Sequence, residues 1–125
     1  MPLPSIVEGT DMSNNLYLVF SQRPSWIGRD EYHDWYTLHA QENIESAGFQ
    51  TAQRYVVREV QNGRPVGDEQ HLCVYDYEGD MATWRADLSR RIESGDISLK
   101  EWHHDIAFRS WTCEPVGDLL RHHRP

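Results

Sequence analysis

The spacing of apolar positions changes repeatedly along the chain, and each change marks an element. Leu16 to Ser21, LYLVFS, is a short apolar run too brief for a helix, so it predicts a strand buried on both faces. Gln22 to Ile27 crosses away from it, with Pro24 marking the break. From Gly28 to Ser46 the pattern turns helical: Tyr32, Trp35, His39 and Glu42 fall at i, i+3, i+7 and i+10, and Leu38 joins them. One face thus carries two aromatic rings, a leucine, an imidazole and a carboxylate. Asp30 and Glu31 occupy the first turn, where the helix dipole favours negative charge, and Gly48 supplies a stop.

Phe49 to Val60 then alternates like a strand with one wetter face. Asn62-Gly63 and Gly67-Asp68 flank Arg64-Pro65-Val66, the turn chemistry of a hairpin, and Gln70 to Tyr77 is the antiparallel partner. Asp80 can cap a second helix in which Met81, Trp84, Arg85, Leu88 and Ile92 follow three-four spacing, Arg90 and Arg91 sit near the end, and Gly95 closes. This second helix reads as purely structural. A polar linker, Asp96 to Asp105, carries Trp102-His103-His104 and leads to a last strand, Ile106 to Glu114.

The order is β-α-β-β-α-β, which predicts an α+β ferredoxin-like fold: a four-stranded antiparallel sheet with two helices on one face. The last strand should lie beside the first, and the third between the first and second. At 125 residues the chain makes one domain, expected at 16–116, after a flexible segment at 1–15 and before a tail at 117–125. Nothing in so short a chain is left to cover the other sheet face except a second copy. The topology therefore predicts a homodimer whose sheets pack face to face into an α/β barrel.

Charge narrows the partners. Twenty acidic against twelve basic residues leave a formal charge of -8, which repels phosphate backbones and anionic lipid, so neither nucleic acid nor membrane is expected. MPLPSIVEGTDMSNN has no basic start followed by a long apolar run, and no later stretch reaches the roughly 20 apolar residues of a spanning helix. A cytoplasmic protein is expected. Cys73 and Cys113 lie in separate predicted strands without metal or redox spacing and read as two small buried hydrophobes.

Five Trp and six Tyr supply flat amphipathic surface, and Tyr17, Trp35, Tyr36, Tyr75 and Trp111 could line a pocket for an aromatic molecule between helices and sheet. His39 could act there as general acid or base, with an ionisation expected within about two units of 6.5. Glu42, one turn on, either orients His39 or is an ordinary solvated carboxylate, and the ordinary reading is preferred. Arg54 and Arg109 need partners if buried: a neighbouring carboxylate is the commoner one, an acidic substrate the alternative. His103-His104-Asp105 holds metal-ligand types, but adjacent residues rarely reach one ion, and a site would need His39 or His71 to converge on them. No metal is expected on that basis. His122 and His123 read as tail surface. A phosphate loop, a nucleotide fingerprint and a serine elbow are all missing, which removes kinases, Rossmann dehydrogenases and serine hydrolases.

Several stretches together carry a resemblance. Y-L-V-F-S at Tyr17 to Ser21, G-R-x-x-Y-x-x-W-Y at Gly28 to Tyr36 followed by His39, G-F-x-x-A-x-R-Y at Gly48 to Tyr55, and V-Y-x-Y-E-G-D at Val74 to Asp80 resemble the EthD-like dimeric α/β-barrel family over about Leu16 to Val116. That family includes cofactor-free monooxygenases and cyclases of polyketide aromatics, lactone isomerases of aromatic breakdown, and small proteins without assigned chemistry. The resemblance implies a small cofactor-free enzyme acting on an aromatic or lactone-like molecule by His-assisted proton transfer, of isomerase, lyase or cyclase type. A cofactor-independent monooxygenase and a non-catalytic binding protein are the alternatives. His39, Tyr75 and His103 are the catalytic candidates. Tyr17, Trp35, Tyr36, Arg54 and Trp111 are the substrate-binding candidates.

Overall fold

The structure is a computed structural model and describes residues 15–58 and 70–123. The expected flexible start, apart from Asn15, and the hairpin loop at 62–68 lie outside the described residues. Strand β1 (Asn15–Gln22) leads to helix α1 (Arg29–Ile44), strands β2 (Phe49–Val56) and β3 (Gln70–Tyr77), helix α2 (Met81–Ser94) and strand β4 (Ala107–Cys113). All neighbouring strands are antiparallel, in the order β2-β3-β1-β4. The fold is the expected ferredoxin-like α+β arrangement with the expected strand order.

Local chemistry sets the element ends. Gly28 opens α1 in an extended conformation without a side-chain cap, so Asp30 and Glu31 in the first turn are what offset the exposed N–H groups. The helix stops at Ile44, two residues before the expected Ser46, because Ser46 N–H turns back to the Asn43 carbonyl at 3.0 Å and the Ser46 side chain is buried. Gly48 follows at φ 92, and a Cβ there would come within 2.9 Å of the Glu78 carbonyl oxygen. Only glycine satisfies both the turn and that close approach. Helix α2 is capped at both ends: Asp80 accepts from Thr83 N–H at 2.7 Å, and Gly95 takes the left-handed conformation at φ 87.

The sheet register decides what each face holds. Tyr17 lies opposite Tyr75, Val19 opposite Cys73 and Ser21 opposite His71, and this face meets the helices. Tyr32, fully buried on α1, donates its hydroxyl to Ser21 Oγ at 2.7 Å, and Trp84 of α2 packs its ring 4.7 Å from Tyr17 and 5.1 Å from Phe49. The core is therefore built mainly from aromatic rings. The opposite face carries Leu16, Leu18 and Phe20 with Leu72 and Val74, all only partly buried. This differs from the reading of β1 as buried on both faces: among the described residues of one chain only the helix side is covered, since both helices lie on that side.

Two smaller expectations also change. Cys73 is buried, but Cys113 ends the edge strand β4 half-exposed, and both thiols are free. The polar linker is not wholly irregular, because Glu101–Asp105 winds into a 3-10 helix between the buried Ile97 and Ile106.

Candidate active site

Helix α1, the helix-facing side of the sheet, α2 and the 3-10 segment line a half-open cavity of about 260 Å³. Tyr17, Tyr36, His39, Asn43, Tyr75 and His103 bring polar atoms to its wall, and Leu88, Ile92, Leu99 and Phe108 bring apolar ones. Five of the eight candidates, namely His39, Tyr75, His103, Tyr17 and Tyr36, are thus brought together. Trp35 stands directly behind them, stacked on the His39 ring at 4.7 Å and 16°.

Arg54 and Trp111 lie elsewhere. Arg54 reaches α1 from β2, donating from Nη1 to the His33 carbonyl at 3.2 Å and Thr37 Oγ1 at 3.1 Å. Its Nη2 meets Nδ1 of His33 at 3.3 Å and of His71 at 3.4 Å, and its guanidinium sits 4.6 Å from the Tyr36 ring centre. The expected carboxylate partner is replaced by backbone, hydroxyl, imidazole and π-face. Trp111 projects from the opposite sheet face, edge-on to Phe20 at 5.3 Å, with Arg109 5.3 Å over its ring. A second hollow of about 440 Å³ on that face includes Phe20, Arg109 and Trp111.

His39 is only 8% exposed. Burial first, and the neighbouring His103 second, lower its pKa to about 4. That lies below the expected window, because desolvation disfavours imidazolium and the Glu42 carboxylate one turn on is turned away. Glu42 Oε1 instead accepts from Ser98 N–H at 3.2 Å, which fits its reading as an ordinary carboxylate. His103, 6.0 Å from His39 ring to ring, also has its pKa lowered, by burial and then by His104. Burial is equally the main cause raising the Tyr36 and Tyr75 hydroxyl pKa values, so both phenols keep their protons across the neutral range.

Sequence reasoning missed Asn43. It lies one turn beyond His39 and donates Nδ2 to the Tyr75 hydroxyl at 3.0 Å. The i+4 spacing from His39 was the available signal, but Glu42 at i+3 drew the attention that a carboxylate next to an imidazole invites. Among the described residues, Trp35 Nε1, His39 Nδ1 and Asn43 Oδ1, all on α1, are buried without a hydrogen-bond partner. Each such atom costs about 1–3 kcal/mol of desolvation, so the wall of the cavity is held at some expense to stability.

The His103-His104 pair does not converge with a third ligand: among the described residues, no group of three or more His, Cys, Asp and Glu side chains is placed to hold a metal ion. His71, the other histidine a site would have used, faces Arg54 and packs 4.9 Å from the His33 ring. No helix among the described residues is long and apolar enough to cross a membrane. No family model matches the chain, and a search of curated proteins returns no match.

Proposed function

We propose that the chain is a small cytoplasmic enzyme of the EthD-like kind that binds an aromatic or lactone-like molecule in this cavity and moves a proton with His39. The observation that carries the reading is a neutral imidazole stacked on Trp35 at the wall of a cavity whose other polar groups include protonated phenols. His39 is unprotonated throughout the neutral range and therefore ready to accept. Burial that weakens it as a free base strengthens its attraction to an oxyanion forming beside it, so its basicity rises as the substrate gives up its proton. Tyr75 donates to that developing charge.

Proton transfer is tested by incubating candidate aromatic lactones and phenols with the protein in deuterium oxide and following carbon-bound protons by NMR. Wild type is expected to exchange or isomerise one of them, with kcat/KM rising through about pH 4 as His39 loses its proton and flat above. His39→Asn should fold and lose both the rate and that limb. A variant as active as wild type would remove His39 from the chemistry. If oxygen is consumed during turnover, the monooxygenase alternative takes over. The same low basicity favours one second reading, a binding protein without turnover, which predicts ligand capture with no exchange in either protein.

The proposal includes a homodimer. Leu18, Phe20, Leu72 and Val74 on the uncovered sheet face support it, since soluble monomers rarely leave such an apolar patch open. Sedimentation is expected near about 29 kDa, twice the 14.7 kDa chain. A monomer at all concentrations would sink the barrel.

A further inference from the structure

The polar side chains lining the cavity are phenols, imidazoles, one amide and the Ser110 hydroxyl, and no Asp, Glu, Lys or Arg is among them. Arg54 lies behind the Tyr36 ring and bonds to α1, and Glu42 accepts from the Ser98 backbone, so neither forms part of the wall. Taking the cavity as the site, as in the reading above, we infer that its ligand is uncharged and carries a hydroxyl-type donor, and that Asn43 is a positioning residue acting through Tyr75.

A carboxylate entering this space loses its water and meets no countercharge. His39 could supply one only by taking a proton, and at a pKa of about 4 only about one molecule in a thousand is protonated at pH 7. The geometry also favours a donor. Asn43 Nδ2 occupies a lone pair of the Tyr75 oxygen at 3.0 Å, which orients the hydroxyl and leaves it its proton to donate. The wall also offers acceptors, the His39 and His103 imidazoles and the Ser110 hydroxyl. A ring hydroxyl both accepts from Tyr75 and donates to an acceptor of the wall, whereas an ether or a carboxylate can only accept. The cavity of about 260 Å³ is below the usual range for drug-sized ligands, which suits one ring or two fused rings.

Three one-ring probes separate the possibilities: p-cresol, p-methylanisole and p-toluate, titrated at about pH 7 with the His39 and Tyr75 NMR signals as reporters. Cresol is expected to shift both signals and to bind about tenfold tighter than the ether, the size of one neutral hydrogen bond, and toluate weaker still. Toluate binding in the cavity as tightly as cresol overturns the ligand class while leaving the cavity as the site. Cresol and ether binding alike overturns the donor requirement. If no probe moves either signal, the site reading itself falls, and this inference with it.

Asn43 is tested by a double-mutant cycle with Asn43→Leu and Tyr75→Phe, or Asn43→Ala if the leucine variant fails to fold. Each single change should weaken cresol about tenfold and the pair together by the same tenfold, because both remove one oriented hydroxyl. Additive losses, about a hundredfold, would mean that Asn43 does not act through Tyr75. Unchanged affinity in the Asn43 variant would remove it from the site.

Discussion

The two helices lie on the same sheet face, yet they are built on opposite plans. Helix α2 shows the regular three-four apolar spacing, is capped at both ends and buries one side chain, Trp84. Helix α1 has no side-chain cap and buries Tyr32, Trp35, Tyr36, His39 and Ala40. Three polar atoms of that buried face lack partners against one on α2, Trp84 Nε1, and Arg91 of α2 ties the end of α1 in place through the Glu42 carbonyl at 2.5 Å and Ser46 Oγ at 2.9 Å. The difference teaches where stability and chemistry are held. Helix α2 contributes caps, an anchor and the apolar wall of Leu88 and Ile92, while α1 presents rings, imidazole and amide that fold only because their surroundings hold them.

The division of labour breaks most directly at Trp84. Its ring touches those of Tyr17, Phe49 and Tyr77, so it anchors α2 to three strands. Trp84→Ala should cost about 3–5 kcal/mol and lower the thermal midpoint sharply. On α1, Leu38 points outward at 56% exposure, and Leu38→Ala should stay within about 0.5 kcal/mol. Equal losses in chemical denaturation would show that α2 is not fixed through its tryptophan.

Next in size is a pH effect specific to α1. The folded pKa of His39, about 4, is depressed below the unfolded value of about 6.5. Between these values the unfolded chain binds more protons than the folded one, so stability rises with pH across that window and is lost as pH falls. The full loss, reached below about pH 4, is on the order of 3 kcal/mol. His103 adds to it in the same direction, since its pKa is lowered too. Asp80 at the start of α2 and Asp87 in its middle behave differently. Hydrogen bonds from Thr83 and Ala47 lower their carboxyl pKa values, so their contribution persists through this window and is lost only in stronger acid. Urea midpoints from about pH 7 to 4 should fall in wild type and fall less in His39→Asn. Identical slopes would mean that His39 is as solvated in the fold as in the unfolded chain.

The cap on α2 comes third. Removing the Asp80 carboxylate leaves Thr83 N–H without its acceptor, and Asp80→Ala should lower the thermal midpoint, by less than either change above. Asp80→Asn should recover most of it, because the amide oxygen can accept the same bond. A loss in the asparagine variant as large as in alanine would shift the explanation from the cap to charge.

How much of this was legible depended on whether the cause was local. The bounds of β3 and α2 follow from alternation, a cap and a glycine within the segment itself, and they came out at the expected residues. Facing is another matter. Trp111 pairs with Leu18, one position from the inward Val19, and a shift of one residue sends a strand side chain to the other sheet face. Aromatic residues occur on both faces here, so composition could not place Trp111. Arg54 does face the helices, yet its partners His33 and Thr37 belong to another element, and no spacing along the chain announces them. Asn43 likewise finds its partner, Tyr75, on another element, and no spacing along the chain announces it.

The smallest expected effect concerns Glu42, and it bears on whether α1 supplies a charge to its own histidine. In a bare helix, residues one turn apart are within reach, and a carboxylate beside an imidazole would raise its pKa. Here the carboxylate oxygen turns to Ser98 N–H at 3.2 Å, at the start of the segment that carries His103, and the causes acting on His39 are burial and His103. Glu42→Gln preserves an acceptor for Ser98 and removes only the charge. The His39 NMR titration should therefore move by less than about half a unit, and stability by no more than about 0.5 kcal/mol. His103→Asn is the matching change: it removes a neighbour that lowers the His39 pKa, so the His39 midpoint should rise. A large downward move in the Glu42 variant with no move in the His103 variant would reverse the assignment. The carboxylate on α1, rather than the 3-10 segment, would then set the proton affinity of the cavity.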